Sequence, residues 1–384
     1  MIPKIYLEKQ DSKGFSFIHA SDLHLGSHQY RNEERANDFI NAFEEILTLA
    51  KLNEVDFILL GGDVFTSLEM LPGKLTRIIS LILNFKKSTQ NQIQIIAIEG
   101  NHDIRKYSLG VRFRNRGQSW LKLLASLGML ILLDADLNAS PENRFTLYNF
   151  NTNSGGKVQI KNAIIYGTRY LGENPKEELL KIKEAIEKND GLFHILLQHF
   201  GIEGQMENVP GINYKDVECL EEHINYLALG HFHLQFTIKN WIYNPGSSEA
   251  TCTSDFFFKR GIFLVKVSYD HGYKKEVKQL KLLNRRAAWI NIYFKIPFQN
   301  KDHMKEYILK MLEASLKKQE SLLINHCNHH KPCLFLKING IKPYKGCKIN
   351  EKELNQVICE KFPFVNVKIY QKFTEPIKSI IKYL

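Results

Sequence analysis

Residues 15–24 read FSFIHASDLH, and the pattern in this stretch recurs along the first 235 residues. An apolar run, FSFIHA, passes directly into a polar cluster that contains Asp22 and His24. Four more apolar runs before residue 235 end in the same way: VDFILL (55–60), IQIIAIE (93–99), LFHILL (192–197) and INYLAL (224–229). Short continuous apolar runs of this kind are typical of strands that are buried on both faces.

Apolar residues at helical spacing lie between several of these runs, within residues 39–50 and 75–83. Buried strands that alternate with helices predict βαβ units and a largely parallel sheet. In open sheets of this class, ligands bind beyond the carboxyl ends of the strands. The polar clusters therefore predict one shared site, although they lie far apart in the chain.

The polar residues at the five strand ends are metal ligands by type. They comprise two carboxylates, one amide and four imidazoles: Asp22, His24, Asp63, Asn101, His199, His231 and His233. The set contains no thiolate and suits Mn²⁺, Fe²⁺ or Zn²⁺ in a catalytic site. Residues two apart, such as Asp22 and His24, can point the same way on an extended backbone. Seven ligands exceed the needs of one ion, but two ions about 3.5–4 Å apart, bridged by one carboxylate, would use them all.

Each motif taken alone also has a structural explanation. Asp-x-His carries little information, Gly-Asn-His-Asp fits a turn, and His199 could be a buried core histidine. The conjunction of five polar clusters, each at a strand end, favours a metal site.

Read together, these motifs resemble the signature of the calcineurin-like metallophosphoesterases. Within that superfamily the sequence is similar to the SbcD-type DNA double-strand-break repair nucleases. The segments that carry this similarity are HASDLHLGS (19–27), GGDVF (61–65), EGNHD (99–103), LALGHFH (227–233) and NPGSSEATCTSDF (244–256). The resemblance implies an α/β fold, a β-sandwich flanked by helices with a small α/β capping domain at the C-terminus. It also implies a DNA exonuclease or endonuclease with two divalent metal ions, most often Mn²⁺.

The resemblance also assigns roles to the candidate ligands. Asp22, His24 and His233 would hold the first ion, Asn101, His199 and His231 the second, and Asp63 would bridge them. His102 would protonate the leaving oxygen or steady the phosphate, with Asp103 as its neighbour. One position departs from the family: where archaeal members often have His and bacterial members often Asp, this chain has Thr66, which leaves cleavage polarity open.

Charge is divided unevenly along the chain. Residues 271–384 hold 23 Lys+Arg against 9 Asp+Glu, so residues 1–270 carry a net charge of −3 of the total +11. A basic block of this kind suggests a polyanionic partner such as DNA, although a solvated Lys-rich surface is the plainer alternative. Candidate phosphate contacts near the motifs are Arg105, Lys106, Arg112, Arg114, Lys259 and Arg260.

The predicted domains are an N-terminal extension (1–14), a nuclease domain (15–270), a basic β-α-β-α-β capping domain (285–372) and a tail (373–384). The segment HCNHHKPC (326–333) does not have the ligand spacing of a zinc site and is interpreted as a loop. The resemblance further implies a homodimer, with helices near residues 33–52 and 73–87 as the contact, and a coiled-coil ATPase partner of the SbcC type, for which residues 373–384 leave a short docking segment.

No signal peptide and no apolar run of 18 residues is recognised, so we expect a cytoplasmic, nucleoid-associated protein that does not span a membrane. Two other functions remain open. The metal motifs fit an enzyme that acts on small phosphoesters or phosphoproteins equally well, and a scaffold that keeps the fold without activity is a second alternative.

Overall fold

The computed structural model describes residues 14–104, 119–186, 191–324, 331–343 and 349–374. The chain divides into two compact units, one formed by Met1–Ser27 with Ala36–Asn284 and the other by His28–Arg35 with Arg285–Leu384. Most of the predicted extension 1–14 and of the tail 373–384 lies outside the described residues. Within the described ranges, no helix has the length and apolarity needed to cross a bilayer.

The first unit contains two six-stranded sheets. Strands are numbered along the chain, and those of the first sheet are β1 (Phe15–Ala20), β2 (Phe57–Leu60), β3 (Gln94–Ala97), β4 (Ile131–Leu132), β11 (Ile262–Tyr269) and β12 (Tyr273–Leu280). Their order is β12-β11-β1-β2-β3-β4. Strands β1 to β4 are parallel, and β11 and β12 extend the sheet in antiparallel pairing.

The second sheet has the order β5-β6-β7-β8-β10-β9. Its strands are β5 (Lys157–Ile160), β6 (Ala163–Gly167), β7 (Phe193–His199), β8 (Tyr226–Gly230), β9 (Phe236–Ile238) and β10 (Ile242–Asn244). Strands β6, β7, β8 and β10 are parallel, with β5 and β9 antiparallel at the two edges. All five predicted runs are strands, but they are shared between two sheets rather than belonging to one.

The two sheets pack face to face because the strands are apolar on both sides. Phe17 of β1 stacks on Phe57 of β2 at 5.0 Å and meets Tyr226 of β8 edge-on at 5.2 Å between ring centroids. These rings lie in the core between the sheets, which also contains Ile195 of β7. Burial of aromatic and aliphatic side chains on this scale is the main favourable term in folding.

Helices cover the outer face of each sheet. They are α1 (Glu33–Leu52), α2 (Pro72–Ser88), α3 (Trp120–Ser126), α4 (Pro141–Arg144), α5 (Lys176–Ala185) and α6 (Tyr214–Glu218). Ile58 of β2 packs in one cluster with Phe43 of α1 and Ile82 of α2, and Leu196 of β7 packs in another with Leu179 of α5. The expected β-sandwich flanked by helices is confirmed.

The second unit is built on a three-stranded parallel sheet. Its elements are β13 (Ala287–Phe294), α7 (Lys301–Ile324), β14 (Cys333–Ile341), α8 (Glu351–Lys361) and β15 (Asn366–Thr374), with sheet order β13-β14-β15. Ile290, Leu336 and Ile308 share its core. The Asn350 side chain caps the start of α8, because it accepts a hydrogen bond from the Glu353 amide at 3.2 Å.

Residues 28–35 join this second unit, whereas the sequence placed them within the nuclease domain 15–270. Two contacts explain the difference: the Asn32 side chain donates to the Val365 carbonyl at 3.0 Å, and Arg285 lies 3.4 Å from the carboxylate of Glu34. The sequence gives no sign of either contact, because both link residues that are far apart in the chain.

Candidate metal centre

All seven candidate ligands lie at or just beyond the carboxyl ends of β1, β2, β3, β7 and β8. The loops after β1 and β2 run side by side, because the Asp22 amide donates to the Gly62 carbonyl and the His24 amide to the Asp63 carbonyl, each at 3.0 Å. The seven side chains form two groups, and Asp63 lies between these groups. The structure therefore brings the seven candidate side chains together.

The backbone is not extended at Asp22 and His24. The explanation offered for the Asp-x-His spacing, that an extended backbone points both side chains the same way, is therefore wrong. Asp22, His24, Asp63 and His231 have positive φ angles of 51°, 47°, 49° and 88°. Non-glycine residues rarely adopt this left-handed conformation, which costs about 1–2 kcal/mol each. Hydrogen bonds from the neighbouring loop maintain this strained backbone conformation. Tight turns, rather than the alternation of side chains along a strand, direct the candidate ligands toward one another.

One group of ligands consists of Asp22, His24 and His233. The Nε2 atoms of His24 and His233 lie 3.2 Å apart, and His233 Nε2 lies 3.9 Å from Asp22 Oδ1. Ligand atoms of the three fall within 4.8 Å of one another. Metal–nitrogen bonds of about 2.0–2.1 Å place neighbouring ligand atoms about 2.9–3.4 Å apart. The spacing of the two imidazoles therefore fits the edge of a coordination polyhedron.

A second group consists of Asn101, His199 and His231. Asn101 Oδ1 lies 3.1 Å from His199 Nε2 and 3.1 Å from His231 Nδ1. The other nitrogen of His199 lies 2.7 Å from the Gly61 carbonyl, to which it donates when the ring is neutral. In that tautomer the Nε2 lone pair faces the Asn101 oxygen, an arrangement that a cation between them would stabilise.

Asp63 lies between the two groups. Its carboxylate is within metal-binding reach of His24 and His102 on one side and of Asp22 with His199 on the other, and Asp63 Oδ2 lies 3.4 Å from His199 Nε2. Burial lowers the pKa of His199, but the Asp63 and Asp22 carboxylates outweigh burial and raise it to about 9. The site thus attracts positive charge, either a proton on His199 or a metal ion.

His102 lies at the mouth of the site with its side chain 24% exposed. Its Nδ1 lies 3.1 Å from the Thr66 carbonyl and its Nε2 lies 4.0 Å from Asp63 Oδ2. The Thr66 hydroxyl donates to the His24 carbonyl at 2.9 Å. Thr66 therefore orients His102 through its backbone and holds the His24 turn through its side chain.

Asp103, predicted as the neighbour of His102, hydrogen-bonds backbone amides of two loops. Its buried carboxylate accepts from the amides of Phe65 at 2.8 Å, Gly100 at 2.9 Å and Val64 at 3.2 Å. Burial and the nearby Asp63 raise the pKa of Asp103 well above its usual value. The residue ties the loop after β3 to the loop after β2.

Arg260 was predicted to contact phosphate, but the structure buries its side chain. Its side chain is only 6% exposed, donates through Nε to the Asp255 carbonyl at 2.9 Å and lies 3.9 Å from the Glu249 carboxylate. A buried guanidinium of this kind braces a loop and is not free to contact DNA. Lys259 is exposed, and the remaining candidates, Arg105, Lys106, Arg112 and Arg114, lie outside the described residues.

Two residues near the ligands were not singled out from the sequence. Asp255, in the quoted phrase 244–256, lies 2.9 Å from His233 Nδ1. The ring of Tyr170 has its centroid 6.0 Å from those of both His199 and His231. No spacing rule links either residue to its neighbours, because the contacts are made through loops.

Comparison with known proteins places this site in context. The family model described as calcineurin-like phosphoesterase matches residues 15–235, which contain all seven ligands. A DNA double-strand break repair protein Mre11 from Archaeoglobus fulgidus is 28% identical over 239 residues, 61% of this chain and 50% of that protein. The protein of the same name from Sulfurisphaera tokodaii is 27% identical over 216 residues, 56% of this chain and 48% of that protein.

A third relative, Mre11 from Methanococcus maripaludis, is 26% identical over 332 residues, which are 84% of this chain and 77% of that protein. The chain spans about half the length of the first two relatives. The family match, together with the Asp and His cluster, supports a dinuclear site for divalent metal ions.

Proposed function

Because the chain belongs to the calcineurin-like phosphoesterase family, we propose that it is a metal-dependent nuclease that hydrolyses DNA phosphodiester bonds in double-strand-break repair. The observation that carries the proposal is the convergence of seven nitrogen and oxygen ligands, in two groups that share Asp63, at one end of the sandwich. The relatives named Mre11 supply the DNA substrate and the repair role.

We assign Asp22, His24 and His233 to one ion and Asn101, His199 and His231 to the other, with Asp63 shared. The ligand set contains only nitrogen and oxygen donors and suits Mn²⁺. Two such ions, when bound, lower the pKa of a water molecule and neutralise charge on the phosphate. The residues of the chain supply the geometry: strained turns hold the ligands in place, and burial excludes bulk water.

His102 is the residue proposed to protonate the departing sugar oxygen. Its Nδ1 donates to the Thr66 carbonyl, so Nε2 is the nitrogen directed toward Asp63 and the site. The ring acts as an acid through Nε2 when both nitrogens are protonated, and it returns to the neutral form with its hydrogen on Nδ1 after the transfer. Partial exposure lets Nε2 reach a bound substrate. A general acid placed in this way contributes about 10²–10⁴-fold to the rate.

DNA contacts are assigned to the basic C-terminal part of the chain. Its 23 Lys+Arg against 9 Asp+Glu suit the phosphate backbone, which a protein contacts without reading sequence. In this proposal residues 285–372 form a capping domain, and Lys259 adds a contact near the metals. By analogy with the family, we also propose that the protein forms a homodimer and binds a coiled-coil ATPase partner of the SbcC type. Its proposed location is cytoplasmic and nucleoid-associated.

The test is cleavage of end-labelled duplex DNA and of closed single-stranded circles with Mn²⁺, with Mg²⁺ and with chelator, beside a small chromogenic phosphodiester. We expect Mn²⁺-dependent DNA cleavage that is lost in Asp63→Asn. Cut circles would show endonuclease activity. Hydrolysis of the small ester without DNA cleavage or DNA binding would contradict the proposal and favour an enzyme of small phosphoesters.

A further inference from the structure

A buried carboxylate stands directly behind one of the metal ligands. Asp255 is 1% exposed, and its Oδ2 lies 2.9 Å from Nδ1 of His233. The opposite nitrogen of the same ring, Nε2, is the one that lies 3.2 Å from His24 Nε2. His233 therefore has one nitrogen facing the metal centre and the other facing a carboxylate.

The remaining donors around Asp255 decide which atom carries the imidazole proton. Its Oδ2 accepts from the Thr251 amide and from the Thr251 hydroxyl, both at 2.8 Å, and from the Cys252 amide at 3.3 Å. The Thr251 hydroxyl also lies 3.1 Å from His233 Nδ1, but its hydrogen is directed to Asp255. Both neighbours of Nδ1 are thus acceptors, so Nδ1 carries the hydrogen and Nε2 keeps its lone pair.

The turn that carries Asp255 is itself fixed. Arg260 Nε donates to the Asp255 carbonyl at 2.9 Å, and the Phe258 amide donates to the same carbonyl at 3.0 Å. The Arg260 guanidinium lies 3.9 Å from Glu249, whose carboxylate accepts from the Ala250 amide at 2.6 Å. These bonds fix the backbone before and after Asp255 and thereby fix the position of its carboxylate.

We propose that Asp255 is a positioning residue that fixes the tautomer and orientation of His233 and thereby sets the affinity of one of the two metal ions. Carboxylates that hydrogen-bond a metal-binding imidazole from behind orient the ring and raise its basicity. The inference rests on the proposed metal site and concerns only the ion held by Asp22, His24 and His233. Asp255 does not touch that ion.

The test is a calorimetric titration of the full chain with Mn²⁺, comparing wild type with Asp255→Asn. The amide keeps the size of the carboxylate but can turn its NH₂ toward His233 and favour the wrong tautomer, as Asn does in a catalytic triad. We expect one of two sites to weaken about 10–100-fold while the other keeps its affinity, with full occupancy restored at high Mn²⁺. Asp270→Asn is the matched control, because that carboxylate is 66% exposed and pairs only on the surface.

A general loss of structure is distinguished by thermal unfolding of the same samples without metal. Wild-type affinity at both sites in Asp255→Asn would overturn the inference, and so would equal weakening of both sites in a folded variant. The second measurement needs no variant at Asp255: ¹⁵N NMR of histidine-labelled protein with Mg²⁺, in which His233→Gln identifies the signal. Protonation of His233 at Nδ1 is expected, and protonation at Nε2 would overturn the inference.

These results are independent of the substrate. If wild type binds two Mn²⁺ ions and Asp255→Asn loses one, the role of Asp255 stands even if DNA is not cleaved. If DNA is cleaved but Asp255→Asn binds both ions normally, the nuclease proposal stands and the inference about Asp255 fails.

Discussion

At the residue scale, the candidate site depends on backbone conformations that few residues adopt, since Asp22 and His24 both have positive φ angles. Carboxylates, imidazoles and an amide at strand ends were enough to predict Asp22, Asp63 and their partners as one site. The left-handed backbone at Asp22 and His24 was not predictable, because hydrogen bonds from a distant loop hold it. The role of Asp255 was missed for the same reason, since a loop brings it to His233 from 22 residues further along the chain.

His19 provides a residue-scale prediction about acid stability. It is fully buried, with Nδ1 3.0 Å from the Tyr226 hydroxyl and Nε2 3.0 Å from the Leu229 carbonyl. Burial lowers its pKa to about 3, although the Leu229 carbonyl acts to raise it. The unfolded chain, with a histidine pKa of about 6.5, then binds a proton more readily than the folded chain, so stability falls as the pH drops from about 6.5 toward 3.

We expect His19 to account for about 3 kcal/mol of the stability lost between pH 7 and pH 4.5, measured by urea unfolding. His19→Gln removes the titrating ring and should flatten the pH dependence over that interval, even if it lowers stability at pH 7. His271→Gln, at a fully exposed side chain, is the control and should leave the profile unchanged. Equal slopes for His19→Gln and wild type would show that another group is responsible.

His102 provides a second prediction at this scale. Replacement by Gln should lower kcat for DNA about 10²–10⁴-fold, because the departing alkoxide loses its proton donor. Mn²⁺ affinity should be retained, since His102 lies 4.0 Å from Asp63 and outside the two ligand groups. The kcat of the same variant for a nitrophenyl ester should fall much less, because the leaving group of that ester needs no proton. A similar loss on both substrates would contradict the assignment of His102 as general acid.

At the element scale, strands and helices were predictable wherever local pattern decides them. The five apolar runs are strands, as predicted. The division of the strands between two sheets was not predictable from periodicity. A strand that is apolar on both faces is buried equally well in one large sheet or in two sheets packed together. The loops after β2 and β3 carry the candidate ligands Asp63 and Asn101, and Asp103 holds these loops together through three backbone amides.

Gly100, in the loop after β3, provides the prediction for this scale. A Cβ atom at this position would lie 2.3 Å from both the amide nitrogen and Oδ1 of Asp63, far closer than van der Waals contact allows. Gly100→Ala should therefore displace the shared carboxylate and weaken Mn²⁺ binding by more than tenfold, measured by titration. Gly73→Ala in α2 is the control, because nothing lies within 4 Å of its Cβ and alanine favours a helix. Unchanged Mn²⁺ binding in Gly100→Ala would place Asp63 outside the metal site.

At the scale of the whole molecule, two units carry different charge. The candidate metal ligands belong to the first unit, whereas the basic excess lies in residues 271–384, most of which form the second unit. The sequence showed this division through composition alone. It did not show that residues 28–35 belong with the second unit, since that depends on contacts such as Asn32 with Val365.

The whole-molecule prediction concerns the salt dependence of DNA binding. Lys337 and Lys372 are exposed on neighbouring strands of the second unit. Replacing both with Gln in the full chain should lower affinity for all duplex sequences alike and reduce the slope of log K against log salt by up to about 2. The control pair, Lys176→Gln with Lys239→Gln, removes the same charge from exposed sites of the first unit. An equal effect of the two pairs would argue against a DNA surface on the second unit.

The most direct test of the central claim is the anomalous scattering of Mn²⁺ in crystals of the protein grown with the metal. The account predicts two peaks about 3.5–4 Å apart, one beside Asp22, His24 and His233 and one beside Asn101, His199 and His231, both in contact with Asp63. A single peak, or peaks away from these residues, would contradict it.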